Sequence, residues 1–570
     1  MRDEQRLLKL LEERWATNRS YQVKDTDSYW RGAFEFPDPQ YEGMSLQIEA
    51  GLQMTVPMYS HVDSSLYRDE ALLGVIEEQI AYLLRSQFPS GCVSLINCNI
   101  DSPPDTAFAV HIASMSYHAL ASVDAPEAGA ACDQLKQFLQ QTIPCLLNGG
   151  VHTPNHRWVI CGALALLYEI FPDERLRERA DSYLAEGIDI NDSGEWTERS
   201  NAVYNAVCCN FLYHTARVFG YEELYDPIAS NLMMMRYMLH PDGAIVTEYS
   251  SRQDRGKQSY LSDEYYIAFS LMAARTGNGE LKTLADEAIR HSSNPGIALL
   301  YWMRFPQVMN HEVEGTPLPV SYEVLLNEGS TAPVSGALPL VRTSFHAGSP
   351  LVRYRNGDLS VTIVSGQPEF LFLQYGQARM TGLRWSLGWF GIAGAPMMQL
   401  VKQREGAYEL SIELEGSYRG PLVGANKSRS ERSDFDFSYA GRDKTHLSKL
   451  SLRVLIELEE NGLSVQLHSD GLPNIFAQAV LVFDQSGEVA GEECQPLADH
   501  LYHQTGGKLI YRSGDDIIQV TGGGAEHRYA CLRNDRVDPA ALNVICNYMT
   551  PMAAELRFTG RTAVKGVTPG

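Results

Sequence analysis

The hydrophobic period of this chain changes once, and that change limits its fold more than any motif does. From about Ser65 to Arg290 apolar residues recur at helical spacing, in stretches separated by polar loops. Beyond about residue 340 they alternate with a period of two. Helix side chains share a face at i, i+3 and i+4, and strand side chains at i and i+2, so one segment cannot satisfy both patterns. The first part predicts helices near 66–87, 105–121, 127–147, 155–171, 173–186, 201–219, 222–239, 260–276 and 279–291. Such a succession of helical hairpins fits an (α/α) toroid, read as an incomplete α/α barrel, or an α-solenoid. In the second part, 352–364 and 452–469 each read as two strands around an Asn-Gly pair, Asn356-Gly357 and Asn461-Gly462. Asn-Gly supplies the positive φ angles of tight hairpins. The stretch from Ala407 to about Thr445 reads as a long loop or hairpin excursion. The expected fold class is a multidomain α and β chain. An N-terminal (α/α) toroid covers 1–330, and a C-terminal antiparallel β-sandwich covers 331–570.

The loops of the helical part fall into two kinds. Those at 94–108, 148–158, 191–201 and 240–260 are dense in hydrogen-bonding groups, whereas those at 171–174 and 276–280 are short and plain. That alternation predicts one functional rim and one structural rim. Thr153 is a good N-cap, and Pro154 suits a first helical position because it has no N–H to leave unbonded. Asn155 and His156 then lie in a first turn, where free N–H groups and the helix dipole attract an anion. The residues that follow are apolar nearly all round, as in a buried helix. The next rich loop holds Trp196 at its middle, and Tyr204 falls just inside the helix after it. Two helix starts on one rim would gather Asn155, His156, Glu198 and Tyr204 over a pocket for a negatively charged substrate. Each alone has an ordinary explanation, as a cap or a core aromatic. The functional reading rests on the set.

Composition excludes several classes. A net charge of −23 argues against nucleic acid and anionic membranes as partners. No apolar run is long enough to span a membrane. The charged, helical N-terminal segment lacks the apolar core and cleavage site of a secretory signal, which predicts a cytoplasmic protein. The ten cysteines show no CxxC and no Cys/His metal spacing. Free buried thiols in a reducing compartment are expected, with no metal and no cofactor. Self-association as a homo-oligomer stays open.

The residues of the rich loops suit one reaction in particular. β-Elimination from a uronide removes the weakly acidic C5 proton beside the carboxylate. It needs that carboxylate neutralised, a base for the proton and an acid for the leaving oxygen. Asn155 at the helix start can take the first role, and His156 and Tyr204 the other two. Arg157, Arg199 and Arg252 are candidate carboxylate clamps, since a guanidinium fork matches a carboxylate. Each also suits a surface ion pair. Trp196 could stack on a sugar ring, while Trp158 reads as core.

Together these features resemble the heparinase II/III and alginate lyase superfamily. The resemblance rests on Asn155-His156 near a helix start and on Tyr204 closing a D-x-G-x-x-x-E-x-S-x-x-x-Y loop over 192–204. It rests also on an α/α domain followed by a β-sandwich. It implies that Asn155 and His156 bind and neutralise a uronate carboxylate, that His156 is a base and that Tyr204 is base or acid. It implies a further His or Tyr from the sandwich, for which His346 and Tyr375 are the candidates. Some members hold zinc through a His-x-His pattern that this sequence lacks. The substrate implied is an acidic oligosaccharide or polysaccharide; the expected cytoplasmic location, where imported oligosaccharides would arrive, favours exo action on short chains. The same scaffold also hosts hydrolases that release uronic acid. Such an enzyme needs two carboxyl groups, and an Asp105/Glu198/Asp254 combination could run an inverting mechanism, with Glu248 a further acidic residue of the rich loops. A non-catalytic glycan-binding protein is the third reading.

Overall fold

The computed structural model describes residues 3–38, 43–47, 50–96, 98–329, 350–423 and 439–563. It divides into two compact units. Of the described residues, the first takes those up to Leu239 and Gly243–Pro319, and the second takes His240–Asp242 and those from Val320 onward. The boundary expected near 330 therefore lies earlier. The strand Ser321–Leu326 already belongs to the second unit, and the Pro- and Gly-rich sequence around it concealed it.

Helices of the first unit are α1 (Asp3–Asn18), α2 (Ala50–Ser60), α3 (Glu70–Ser86), α4 (Pro103–Ala121), α5 (Gly129–Asn148) and α6 (Asn155–Ile170). They continue as α7 (Glu174–Leu184), α8 (Tyr204–Phe219), α9 (Tyr225–Met234), α10 (Asp263–Thr276), α11 (Gly279–Arg290) and α12 (Pro295–Arg304). Every helix expected from the periodicity is present, with ends displaced by a few residues. The sequence reading missed α2 and α12, which at 11 and 10 residues are too short to show a period without an amphipathic face, and which carry a proline, Pro57 inside α2 and Pro295 at the start of α12. These two complete the ring. In order, α2, α4, α6, α8, α10 and α12 each pack on the next, and α12 packs back on α2. These contacts form the inner circuit of the toroid expected from the sequence.

The rich loops at 94–108, 148–158, 191–201 and 240–260 lead into α4, α6, α8 and α10, which are all inner helices. The plain ones lead into α7 and α11. Inner helices are buried by their neighbours, as the unbroken buried run Trp158–Leu167 of α6 shows. Their starts are the places where polar loops meet the interior. One polar knot lies among the inner helices: the Tyr301 hydroxyl is 2.9 Å from His111 Nε2 and 2.5 Å from His214 Nε2. Burial keeps both imidazoles neutral, and pushes His111 down to about 4.

Among the described residues the second unit is two stacked sheets, of ten and eight strands. Alternate side chains from both fill one core, with Trp385, Leu410, Val454, Phe483 and Phe558 among them. Pairing is antiparallel except where Leu501–Gln504 runs parallel to Ala541–Met549. Leu351–Asn356 and Leu359–Val364 form the expected hairpin, and Gly357 has the required positive φ of 59°. Arg442–Glu459 and Gly462–Gly471 form the other. There the glycine is required for close approach, since a Cβ on Gly462 would sit 2.0 Å from the Phe558 carbonyl oxygen. Ala407–Leu422 pairs with Arg442–Glu459 as a long hairpin, and the 427–436 stretch expected within it lies outside the described residues.

The structure corrects one expectation about the thiols. Cys92 and Cys145 form a disulfide, with Cα atoms 5.3 Å apart. A separation of 53 residues carries no local signature, so only the fold brings the pair together. Disulfides persist in oxidising surroundings, which runs against the reducing compartment expected from the sequence. No helix among the described residues is long and apolar enough to cross a membrane. In denaturant without reductant, eight thiols should react with a chromogenic disulfide reagent, and all ten cysteines only after reduction. Ten reactive thiols at the outset would show the bond to be absent.

Candidate active site

The site is built on two helix starts and two loops of the first unit. Residues 153–156 turn tightly into α6, with the His156 N–H bonded to the Thr153 carbonyl at 3.2 Å. That turn leaves the Asn155 backbone N–H pointing out of the helix start. The carboxylate of Glu198 accepts it at 3.0 Å, and the same oxygen accepts Asn155 Nδ2 at 2.6 Å. Asn155 Nδ2 also donates to Thr153 Oγ1 at 3.1 Å. The anion expected at this helix N-terminus is therefore, in the first instance, one of the protein's own side chains. Its second oxygen pairs with the Arg252 guanidinium at 2.7 Å. Glu198 is almost wholly buried, and burial raises its pKa against the opposing pull of Arg252 and Asn155.

Arg252 is shared. Its other terminal nitrogen lies 3.3 Å from the Tyr204 hydroxyl, and its guanidinium lies 4.6 Å from the centre of the Tyr204 ring. Gln253 Nε2 donates to the same hydroxyl at 3.1 Å. An oxygen that accepts two N–H groups has its own proton left to give. His156 is buried beside these groups. Burial is the main cause that pushes its pKa down to about 3, with His152 and Arg252 adding to it. Among the described residues its Nδ1 has no hydrogen-bond partner, and neither has Asn155 Oδ1. The His152 ring meets the His156 ring edge-on at 4.6 Å.

So Asn155, Glu198, Arg252 and Tyr204 form one bonded chain, with His156 next to it. The other candidates stand apart. Arg157 is bound to Asp189 at 2.9 Å and Glu186 at 3.2 Å, and stacks on Trp158. Trp158 is core, as expected, with its N–H on Asp189. Trp196 is 1% exposed, too deep to stack on a sugar. Arg199 is buried near Glu195 and Tyr249, with a positive φ of 46°, and burial lowers its pKa. Its backbone carbonyl accepts from Ser251 N–H, which ties the two loops together. Asp254 accepts from the Ser250 and Ser200 hydroxyls at 2.5 and 3.1 Å and from the Ala202 N–H at 3.1 Å, and so organises the loop before α8. Asp105 is engaged at the start of α4 by Ser102 and Asn99. Glu248 is half-buried in the loop before α10. Tyr375 packs its ring over Gly560 within the sandwich. His346 lies outside the described residues. Sequence reasoning missed Gln253 and His152. Both sit in rich loops, one residue after Arg252 and one before Thr153, and only that adjacency could have drawn attention to them.

No protein-family model matches the sequence, and neither does any curated protein. Its fold has solved counterparts. The chain is similar to the chondroitin AC lyase of Streptomyces coelicolor A3, solved in complex with chondroitin sulphate. The two share 13% identity over 98% of this chain and 79% of that one, with a TM-score of 0.51. A heparan sulfate lyase from Pedobacter heparinus aligns over 99% of this chain and 90% of its own, with 11% identity and a TM-score of 0.49. The likeness to the chondroitin lyase is one of fold: helical toroid, then β-sandwich.

A pKa near 3 has a direct consequence. His156 should remain neutral from pH 8 to pH 5, where an ordinary imidazole titrates. Histidine-labelled protein, assigned with a His156→Gln variant, should show a His156 ring signal that does not shift across that range. A midpoint near 6.5 would contradict the burial described.

Proposed function

We propose that this protein is a lyase that cuts uronic-acid-containing glycans by β-elimination. The observation that carries the reading is the sharing of Arg252 between Glu198 and Tyr204, beside a neutral His156. The three requirements of elimination each find a group. A uronate carboxylate entering beside Glu198 would place two acids together, and such a pair holds on to one proton because both cannot ionise side by side. The raised pKa of Glu198 favours that shared proton, and Asn155 with Arg252 supplies the remaining donors. Neutral His156 takes the C5 proton. As the C5–H and C4–O bonds break, C4=C5 forms, and the Tyr204 hydroxyl gives its proton to the leaving oxygen. The fold likeness to a chondroitin AC lyase supports an acidic glycan as the substrate class. Exo action on short chains belongs to the proposal and would show as disaccharide release from the first time points.

The hydrolase alternative asks for two carboxyl groups free to flank a bond. Asp105 and Asp254 are both engaged in holding loops, which leaves Glu198 in the cluster without a carboxyl partner among the three residues that reading named. A cytoplasmic setting is compatible with this chemistry, but the Cys92–Cys145 bond speaks for an oxidising one.

The test is product analysis on a panel of uronic-acid glycans, joined to a variant series. The C4=C5 double bond absorbs in the near ultraviolet, and a hydrolysis product does not. Tyr204→Phe and His156→Ala should each lower turnover by about a hundredfold or more, the scale of a lost acid or base. Asn155→Ala should lower the rate constant as well as binding, because the charge it helps to stabilise grows toward the transition state. Asp254→Asn should lower the melting temperature more than the rate. A saturated product, together with an active Tyr204→Phe variant, would sink the proposal.

A further inference from the structure

A second feature of the molecule lies wholly within the sandwich. The long hairpin of Ala407–Leu422 and Arg442–Glu459 keeps one face in the core as far as Leu414. The same face then continues outward and meets solvent. There Tyr418 is 63% exposed and Phe390 43% exposed, with ring centres 5.4 Å apart. The His446 ring closes on Tyr418 edge-on at 6.0 Å.

This group is constructed rather than incidental. Phe390 has φ of 44° and His446 has φ of 53°, a left-handed backbone that bulky residues avoid. Such a conformation persists only where the surrounding structure holds it, and such strain gathers at ligand sites. Gly416 provides the seat, since a Cβ there would fall 2.0 Å from the Phe390 ring. Two strained residues and a glycine thus present aromatic faces to water, where burial offers them little.

The charge nearby is the reverse of the charge overall. The chain carries −23, yet this end of the hairpin bears Arg419, Arg442, Lys444 and Lys449 against Glu415 and Asp443. Arg419 and Lys444 pair across the strands, one step from the Tyr418–Thr445 pair, and so point to the opposite face. The ribbon at this point is two strands, and charges behind it lie within about one Debye length, ~10 Å at 0.1 M salt, of a ligand in front. Exposed ring faces suit the C–H faces of sugars, and the positive field suits an acidic chain.

We propose that Phe390, Tyr418 and His446 form an accessory subsite that holds an acidic polysaccharide by ring stacking. The subsite deepens the lyase reading in naming the same class of ligand, and rests on that reading for it. Its binding can be measured without turnover. The probes are chondroitin sulphate, heparan sulphate, alginate and, as the neutral control, hydroxyethyl cellulose, each cast into native gels. The full chain should be retarded by at least one acidic polymer at low salt, less so at high salt, and not by the neutral one. Tyr418→Ala should weaken that retention by about tenfold or more, the scale for truncating a stacking aromatic at a binding centre. It should leave the turnover of a tetrasaccharide unchanged. Phe390→Leu, which keeps an apolar side chain over Gly416, should weaken retention with unchanged melting behaviour.

Tyr204→Phe should do the opposite, abolishing turnover and leaving retention intact. If no glycan is cleaved but Tyr418-dependent retention persists, the lyase reading fails and the subsite stands. Retention that survives Tyr418→Ala, equal retention on the neutral polymer, or no retention on any of them would overturn the subsite. So would a Tyr418→Ala variant whose only change is in oligomeric state, since a second copy of the chain would then be the occupant.

Discussion

The site depends on a single carboxylate. Glu198 is buried, and a buried charge persists only where donors surround it. Asn155 supplies two, from its backbone and its side chain, and Arg252 sets its charge against the other oxygen as an ion pair. Those contacts join the start of α6 to the loop before α8 and the loop before α10. Arg252 in turn positions Tyr204, so the residue proposed to move a proton is placed by the same ion pair that fills the helix start. Removal of Glu198 would leave Arg252 and the Asn155 N–H without their anion and release Tyr204 from one of its two donors.

The toroid explains why such an arrangement is stable at a rim of polar loops. Inner helices are enclosed by neighbours, so their first turns offer unbonded N–H groups at the edge of a packed core. The loops that meet them must satisfy those groups internally. Asp254 does this for the loop before α8, and Ser251 bonds back to the Glu198 carbonyl at 2.6 Å. Much of the polarity that looked like catalytic potential in the sequence is used in this way. Asp105, Arg157 and Asp254 are scaffolding for the rim, and the linked set of Asn155, Glu198, Arg252 and Tyr204 is smaller than the polar loops suggested.

The sandwich works by another rule. Its period-two strands fill one core between two sheets, and the pattern is readable until a strand outruns its partner sheet. Beyond Leu414 the hairpin continues past the packed core, and the inward-facing positions become outward-facing aromatics. Tyr418 is apolar in phase with the core and exposed in fact. That discrepancy between pattern and burial is what marks the place.

The sequence by itself determined the two-part architecture, most of the helices, the hairpin at Gly357 and the neighbourhood of Asn155, His156, Glu198 and Tyr204. These are local matters: periodicity, caps and turn residues act over a few positions. It did not reveal α2 or α12, because a short apolar helix that carries a proline shows too few turns to establish a period. Nor did it reveal the Cys92–Cys145 bond, which joins residues 53 positions apart. Above all it could not say which polar residues would be engaged and which left over. Arg157, Arg199 and Arg252 look alike in a rich loop. Packing sends the first to Asp189 and Glu186, buries the second near Glu195 and leaves the third between Glu198 and Tyr204. The fate of a charged side chain is set by partners distant in sequence, and only the tertiary structure chooses them.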